Sequence, residues 1–145
     1  MLLLLAGFIA TLSSFAPKFG GEGYQIFINS KMVLERYGQE MNTVQTLQLD
    51  QYPAGSQLTV RYYHCGKVGK DRTITIKDDK NTVLKQWKYA DVAEPVAGIS
   101  CSMKDIFSLQ TSTSNMHLYY ASSELPKGRL LANIEVNSTA KAVRK

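Results

Sequence analysis

Apolar and polar residues alternate with a period of two along most of the chain, and this alternation predicts β-strands rather than helices. The clearest example is the segment 58–65, in which Leu58, Val60 and Tyr62 occupy every second position. The same pattern predicts further strands at 24–28, 32–37, 43–49, 72–77, 82–89, 116–121 and 130–136. The chain is therefore predicted to be all-β, with about eight short strands.

Residues typical of turns separate these strands. Asn29-Ser30 predicts a tight hairpin, because Asn tolerates a positive φ. The segment 78–81 predicts a second hairpin, between the strands 72–77 and 82–89. A third turn is predicted at 125–128, where Leu-Pro-Lys-Gly precedes the last strand. Short connections of this kind favour antiparallel neighbours.

Two segments in the second half of the chain do not alternate. Residues 90–100 are mostly small and are predicted to be irregular. Met103, Ile106 and Leu109 recur at every third position, which is compatible with one helical turn within 102–109. Helix is therefore expected to be a minor part of the fold.

The predicted fold is an antiparallel β-sandwich, immunoglobulin-like or jelly-roll-like. Two sheets with alternating faces can bury their apolar sides against each other in one core. A β-barrel is the alternative. The length of 145 residues suits one domain. We place it at 21–137, between a signal peptide at 1–20 and a flexible C-terminal tail at 138–145.

The first sixteen residues predict the compartment. The run from Met1 to Ala10 is apolar, carries no charge and is shorter than the roughly 20 residues that span a bilayer. Small residues follow it, as in a secretory signal peptide. The absence of a charge before Lys18, and Pro17 after Ala16, fit this pattern less well, and a buried N-terminal helix or strand is the alternative. We expect a secreted, periplasmic or cell-surface protein.

The chain has two cysteines, Cys65 and Cys101. In an oxidising compartment, such a pair can form one disulfide. The bridge would close a loop of about 37 residues and contribute roughly 3–4 kcal/mol in the loop-entropy account. We predict a Cys65–Cys101 disulfide, with two unrelated thiols as the alternative.

Candidate catalytic and metal-binding residues are few. His64 and His117 are the two histidines, and no sequence motif of a nucleophilic or zinc-dependent enzyme is present. The histidines, cysteines and nearby methionines would suit copper. However, adjacent strand residues such as His64 and Cys65 point to opposite faces. We expect no enzymatic activity, cofactor or metal, with periplasmic copper binding as a distant alternative.

The net charge is +5, from 17 basic and 12 acidic residues. The most basic segment, 66–72, lacks the glycine spacing and the hydroxyl of a phosphate-binding loop. We interpret it as a solvated hairpin loop and expect no nucleic-acid partner. A modest positive charge is compatible with an anionic surface or glycan.

Aromatic residues are the more promising candidates, with eight Tyr and one Trp. Each Tyr-Tyr pair on a predicted strand places one ring on each face, and we expect Tyr63 and Tyr120 to be the outward rings. Trp87 and Tyr89 share a face of another strand. Exposed rings can form a protein interface or stack on sugars. These four are therefore the predicted partner- or ligand-binding residues, unless the rings complete the core.

Three segments, Tyr24–Val33, Tyr62–Lys67 and Leu125–Arg129, are similar to segments of small secreted β-sandwich proteins of Bacteroidota whose role is uncharacterised. The resemblance implies an envelope or extracellular setting and transfers no catalytic residue. We predict an exported, non-catalytic binding or structural module of the cell envelope or cell surface. It would act through contact with another protein or with itself, by way of an open sheet edge. A carbohydrate-binding module is the alternative, and no membrane span is expected after removal of the signal.

Overall fold

Strands dominate the described part of the chain. The computed structural model describes residues 21–67, 69–94, 97–110 and 115–137. The predicted signal peptide and C-terminal tail lie outside these residues. The elements are β1 (Glu22–Ile28), β2 (Lys31–Tyr37), a 3-10 helix (Gly38–Asn42), β3 (Gln45–Gln48), β4 (Gln57–His64), β5 (Thr73–Lys77), β6 (Val83–Lys88), β7 (Ile99–Ser102), α1 (Met103–Leu109), β8 (Asn115–Ser122) and β9 (Leu125–Glu135).

The strands form two sheets that pack as a sandwich. One sheet has the order β2-β1-β4-β7, and the other has the order β3-β9-β8-β5-β6. The paired strands are antiparallel, except that β3 and β9, which are distant in the chain, run parallel. The predicted all-β sandwich is thus confirmed, with nine strands in the described residues instead of about eight.

Inward-facing residues of both sheets fill the core. In β4, Leu58, Val60 and Tyr62 are buried, and the residues between them face outward. In β8, Met116 and Leu118 are buried in the same alternating way. Other fully buried side chains come from both sheets and from α1, and they include Ile26, Ile28, Ile74, Ile76 and Ile106. Burial of this apolar surface is the main favourable term in folding.

β7 forms partly within the segment that the sequence predicts to be irregular. Only Ile99 and Cys101 of its four residues turn inward, so the period-two signal is too short to recognise. β7 nevertheless pairs antiparallel with β4. The predicted helical turn is confirmed by α1, in which Met103 and Ile106 are buried.

Two predicted hairpin turns form where the sequence places them. Asn29 joins β1 to β2 with φ +55°, and Asn81 lies between β5 and β6 with φ +63°. The side chain of Asp78 fixes the second turn, because its Oδ1 accepts hydrogen bonds from the backbone N–H groups of Lys80 and Thr82, at 2.9 and 2.8 Å. Asp78 therefore closes an Asx-type turn, and this turn fixes the position of Asp79.

The last hairpin turns earlier than predicted. β8 and β9 are joined at 123–124, and the segment 125–128 lies inside β9. Gly128 has φ +72°, and the register between the two strands shifts between Tyr120 and Ser122. Glycine and proline in 125–128 therefore mark an irregularity in the strand pairing instead of the turn itself.

The predicted Cys65–Cys101 disulfide is wrong, because both cysteines are free. Cys101 in β7 pairs with Leu58 of β4, whereas Cys65 follows the other end of β4. That separation is about seven residues, or roughly 23 Å of strand, and a disulfide requires Cα atoms within about 7 Å. Cys101 is buried, and burial raises the pKa of its thiol to about 12.

Candidate functional site

Tyr120 lies inside the sandwich, with 1% of its surface exposed. The outward residue of the pair is Tyr119, and Lys77 Nζ lies 4.5 Å from the centroid of its ring. Tyr120 can remain inside because its ring stacks on Tyr62, with centroids 4.4 Å apart, and its hydroxyl bonds to His64 Nε2 at 2.8 Å. The expectation that Tyr120 faces outward is therefore wrong.

The other three predicted binding residues lie in two separate places. Tyr63 faces outward from the four-stranded sheet, where its hydroxyl donates to Gln25 Oε1 at 2.9 Å. Its ring centroid lies 5.7 Å from that of Tyr37. Trp87 and Tyr89 are half-buried against the core at the β6 edge of the other sheet. The four predicted residues do not share one surface.

A polar and aromatic cluster joins the two sheets. Tyr62 stacks on Tyr24 and on Tyr120, with ring centroids 6.3 and 4.4 Å apart. The Tyr62 hydroxyl donates to the carboxylate of Glu22 and accepts a hydrogen bond from Arg129 Nε at 3.0 Å. Burial and the bond to Glu22 raise the pKa of Tyr62, so its hydroxyl keeps its proton. These contacts link β1 and β4 of one sheet to β8 and β9 of the other.

His64 is enclosed beside this cluster, with an exposed fraction of 9%. Its Nε2 lies 3.5 Å from Ser122 Oγ, in addition to the bond with Tyr120. Gly69 packs against it so closely that a Cβ there would lie 2.9 Å from Nε2. Burial lowers the pKa of His64, so the ring is neutral at pH 7. An enclosed, neutral histidine of this kind links the sheets and offers no open site for a substrate.

The basic loop 66–72 connects the two sheets, because β4 and β5 belong to different sheets. Arg72 is buried, and its guanidinium donates to the carbonyl oxygens of Ala97 at 2.7 Å and Ala90 at 3.3 Å. The backbone N–H of Lys70 donates to Glu124 Oε2 at 3.1 Å. The expectation of a hairpin loop is therefore wrong, since the segment crosses between the sheets and its arginine supports the fold. The residues of the segment that are exposed to solvent, as expected, are Gly66, Lys67, Lys70 and Asp71.

A groove of about 390 Å³ lies between the edge strands β2 and β3, and we call it the β2/β3 groove. This volume falls within the roughly 300–1,000 Å³ of ligand clefts. Met32 is 46% exposed there and is the one lining residue of the groove among the exposed large apolar side chains of the described residues. Lys31 is the one charged side chain among the described lining residues. The apolar part of the lining is Ile28, Met32, Val33, Leu47, Leu49 and Tyr52.

The opposite side of the sandwich is closed by other contacts. Lys85 of β6 forms an ion pair with Asp105 of α1, with 3.0 Å between Nζ and Oδ2. The hydroxyl of Tyr89 donates to the carbonyl oxygen of Ser100 in β7 at 2.7 Å. These contacts tie the β6 and β7 edges together, so the two sides of the molecule differ.

A second, polar depression of about 190 Å³ lies on the five-stranded sheet. His117 Nε2 donates to Asp79 Oδ1 at 2.8 Å, and His117 Nδ1 lies 2.8 Å from Asn133 Oδ1. The hydrogen bond from His117 holds the pKa of Asp79 below its ordinary value. Asn115 and Glu135 complete the polar rim. We call this the polar depression.

The candidate copper ligands do not converge. His64 is enclosed between the sheets, whereas His117 faces outward on the five-stranded sheet. Within the described residues, no three His, Cys, Asp or Glu side chains are placed to hold a metal ion. In the same part of the chain, no helix has the length and apolar character needed to cross a membrane.

Sequence reasoning did not single out the lining of either cavity. Met32 and Leu47 belong to predicted strands, but the pattern does not show that an open groove separates those strands. Asp79 was interpreted as a turn residue, and Asn133 carried no motif. One signal for the groove was present in the sequence. Met32 is a large apolar residue that lies only two positions after Ser30 of the predicted Asn29-Ser30 turn.

Comparisons with known proteins give no family assignment. No protein-family model matches the chain, and no curated protein matches it. The similarity to secreted proteins of Bacteroidota therefore stays a prediction.

Proposed function

We propose that this domain is an exported, non-catalytic interaction module of the cell envelope or cell surface, and that it binds a partner protein in the β2/β3 groove. The observation that carries the proposal is the groove itself, in which the exposed Met32 lies among apolar side chains and the polar residues Lys31, Thr46, Gln48 and Gln51. Exposed apolar surface with a polar rim is typical of protein contact sites. Methionine is also a side chain that adapts to different partners. Export rests on the predicted signal peptide at 1–20, which lies outside the described residues.

The lining defines the chemistry of the partner. Met32 is exposed and Val33 and Tyr52 are partly buried, so they favour a segment that inserts large apolar residues, because burial of their exposed surface drives association. Lys31 is the one charge among the described lining residues, so a carboxylate beside the inserted residues would be attracted to it. The preferred occupant is therefore a segment of another protein with large apolar residues next to Asp or Glu.

The sheet edges argue against pairing between copies of this chain. The register of β2 with β1 is irregular between Ile26 and Phe27, and such a bulge bends an edge strand. The edge strands β3 and β7 have four residues each, and β6 carries Lys85 and Lys88. Short, bulged or lysine-bearing edges are the features by which natural sheets avoid strand addition. Insertion of side chains into the groove is thus favoured over self-assembly through open edges.

Sugar binding on the predicted aromatic residues has less support. Trp87 and Tyr89 are half-buried at the β6 edge, Tyr63 lies on the other sheet, and Tyr120 is in the core. A stacking platform needs rings that share one exposed face.

Selection of a displayed random-peptide library on the purified domain tests the proposal. Enriched peptides are expected to combine large apolar residues with Asp or Glu, and to bind Met32→Glu about tenfold or more weakly than the wild type, since the new charge enters the apolar lining. Val83→Glu is the matched control, because Val83 is 53% exposed on β6, the edge strand opposite β3. Peptides that bind Met32→Glu as tightly as the wild type would contradict the proposal, as would the absence of a shared apolar pattern.

A further inference from the structure

Polar side chains cross the outer face of the five-stranded sheet in two neighbouring rows. The strand register places Thr46 of β3, Asn133 of β9, His117 of β8 and Lys77 of β5 side by side. The next row consists of Gln48, Glu135 and Asn115. An outer face is ordinarily polar. In these two rows, five of the seven side chains are amides, a carboxylate or an imidazole, and each of these groups can make directional hydrogen bonds.

Hydrogen bonds fix these side chains in place. His117 bridges Asp79 and Asn133, with 2.8 Å on each side of the ring. Asn115 Nδ2 donates to Asp79 Oδ2 at 3.1 Å. Asp79 itself comes from the β5–β6 turn, which Asp78 holds through two backbone hydrogen bonds. Groups that are already ordered lose less entropy when a ligand binds.

We propose that the polar depression binds one ring of a neutral sugar. The hydroxyl groups of a sugar both donate and accept, and they match carboxylates, amides and a hydroxyl that point to one place. The volume of about 190 Å³ is smaller than the roughly 300–1,000 Å³ of clefts for larger ligands, so one ring is the suitable size.

Other ligand classes fit this site less well. The carboxylates of Asp79 and Glu135 would repel an anion, including an acidic sugar. Lys77 does not compensate for them, since its Nζ lies over the Tyr119 ring at 4.5 Å. A metal ion is disfavoured because, in the described ranges, no three potential His, Cys, Asp or Glu ligands meet. This inference does not depend on the β2/β3 groove, which lies between two strand edges instead of on a sheet face.

An NMR titration of the isotope-labelled protein tests the inference, with methyl glucoside, methyl galactoside, methyl mannoside and N-acetylglucosamine as probes. At least one probe should give saturable shifts of the side-chain amide signals of Asn115 and Asn133. Asn133→Ala removes an amide that lines the site, and His117→Ala removes the bridge that orders Asp79 and Asn133. Each should weaken that binding about tenfold, the factor expected for the loss of one or two hydrogen bonds. Glucuronic acid should bind more weakly than the matching neutral sugar.

Gln86→Ala is the matched control, because Gln86 lies on the same sheet and its amide bonds to Thr75, outside the polar depression. It should leave the affinity unchanged. Thermal unfolding of each variant shows whether the fold is retained, and a variant that loses stability is replaced by Asp79→Asn, which preserves shape. The absence of saturable shifts with all four neutral probes would overturn the inference. Shifts that persist in every folded variant of the site would also overturn it.

Discussion

At the scale of single residues, the cluster between the sheets depends on groups that stay uncharged in the folded protein. Burial is the main influence on His64 and lowers its pKa from the ordinary value of 6.5, although the charges of Glu22 and Glu124 raise it and that of Arg72 lowers it. Burial also raises the pKa of Tyr120 to about 12. A charge on either ring would be placed inside the interface of the sheets, where ionised groups are poorly solvated.

We expect the protein to lose stability as the pH falls below about 6.5. The pKa of His64 is lower in the folded than in the unfolded state, so the unfolded state binds more protons in this range and the free energy of unfolding decreases with acidification. Urea unfolding at a series of pH values measures this. His64→Gln, which cannot titrate but can still bond to Tyr120, should show a smaller loss. An equal acid dependence in wild type and His64→Gln would contradict the assignment.

The same residues show what a sequence pattern can and cannot give. Alternation along β8 correctly places Tyr119 and Tyr120 on opposite faces of the sheet, but it does not show which of the two rings faces inward. That choice depends on partners from the other sheet, since Tyr120 stacks on Tyr62 and bonds to His64. These contacts join residues about sixty positions apart, and no local signal reports them.

At the scale of elements, strands with several alternating residues were predictable and the short or irregular ones were not. β4 and the β5–β6 hairpin lie close to their predicted positions. β7 was missed because four residues contain only two inward positions. The turn before β9 was misplaced because Gly128 lies at a shift in the register between β8 and β9, not in the turn. The connection from β4 to β5 was misinterpreted, since it crosses between sheets and packs over His64 instead of forming a hairpin.

This connection gives a second prediction, at Gly69. A Cβ at this position would lie 2.8 Å from the Tyr120 hydroxyl and 2.9 Å from His64 Nε2, closer than packing allows. Gly69→Ala should therefore lower the free energy of unfolding by about 1–3 kcal/mol, as overpacking typically does. Gly55→Ala is the control, because nothing lies within 4 Å of its added Cβ. Urea unfolding of both variants checks this, and equal stabilities would show that the loop does not press on the cluster.

At the scale of the whole molecule, the two sides of the sandwich differ. Tyr89 and the Lys85–Asp105 ion pair close the side of β6 and β7. The side of β2 and β3 keeps the β2/β3 groove, with Met32 exposed. Neither this groove nor the polar depression could be predicted from the sequence, because both depend on which strands become neighbours. The parallel pairing of β3 with β9 joins residues nearly ninety positions apart and has no local signature.

The most direct test of the central claim, that a partner protein occupies the β2/β3 groove, is site-specific photo-crosslinking of the full chain in the cells that make it. A photoreactive residue at Met32 should give a discrete product with another protein, and the crosslinked segment should carry large apolar residues beside Asp or Glu. The same residue at Val83, on the opposite side, should not give that product. No product from position 32, the same product from both positions, or a product containing only this chain would contradict the account.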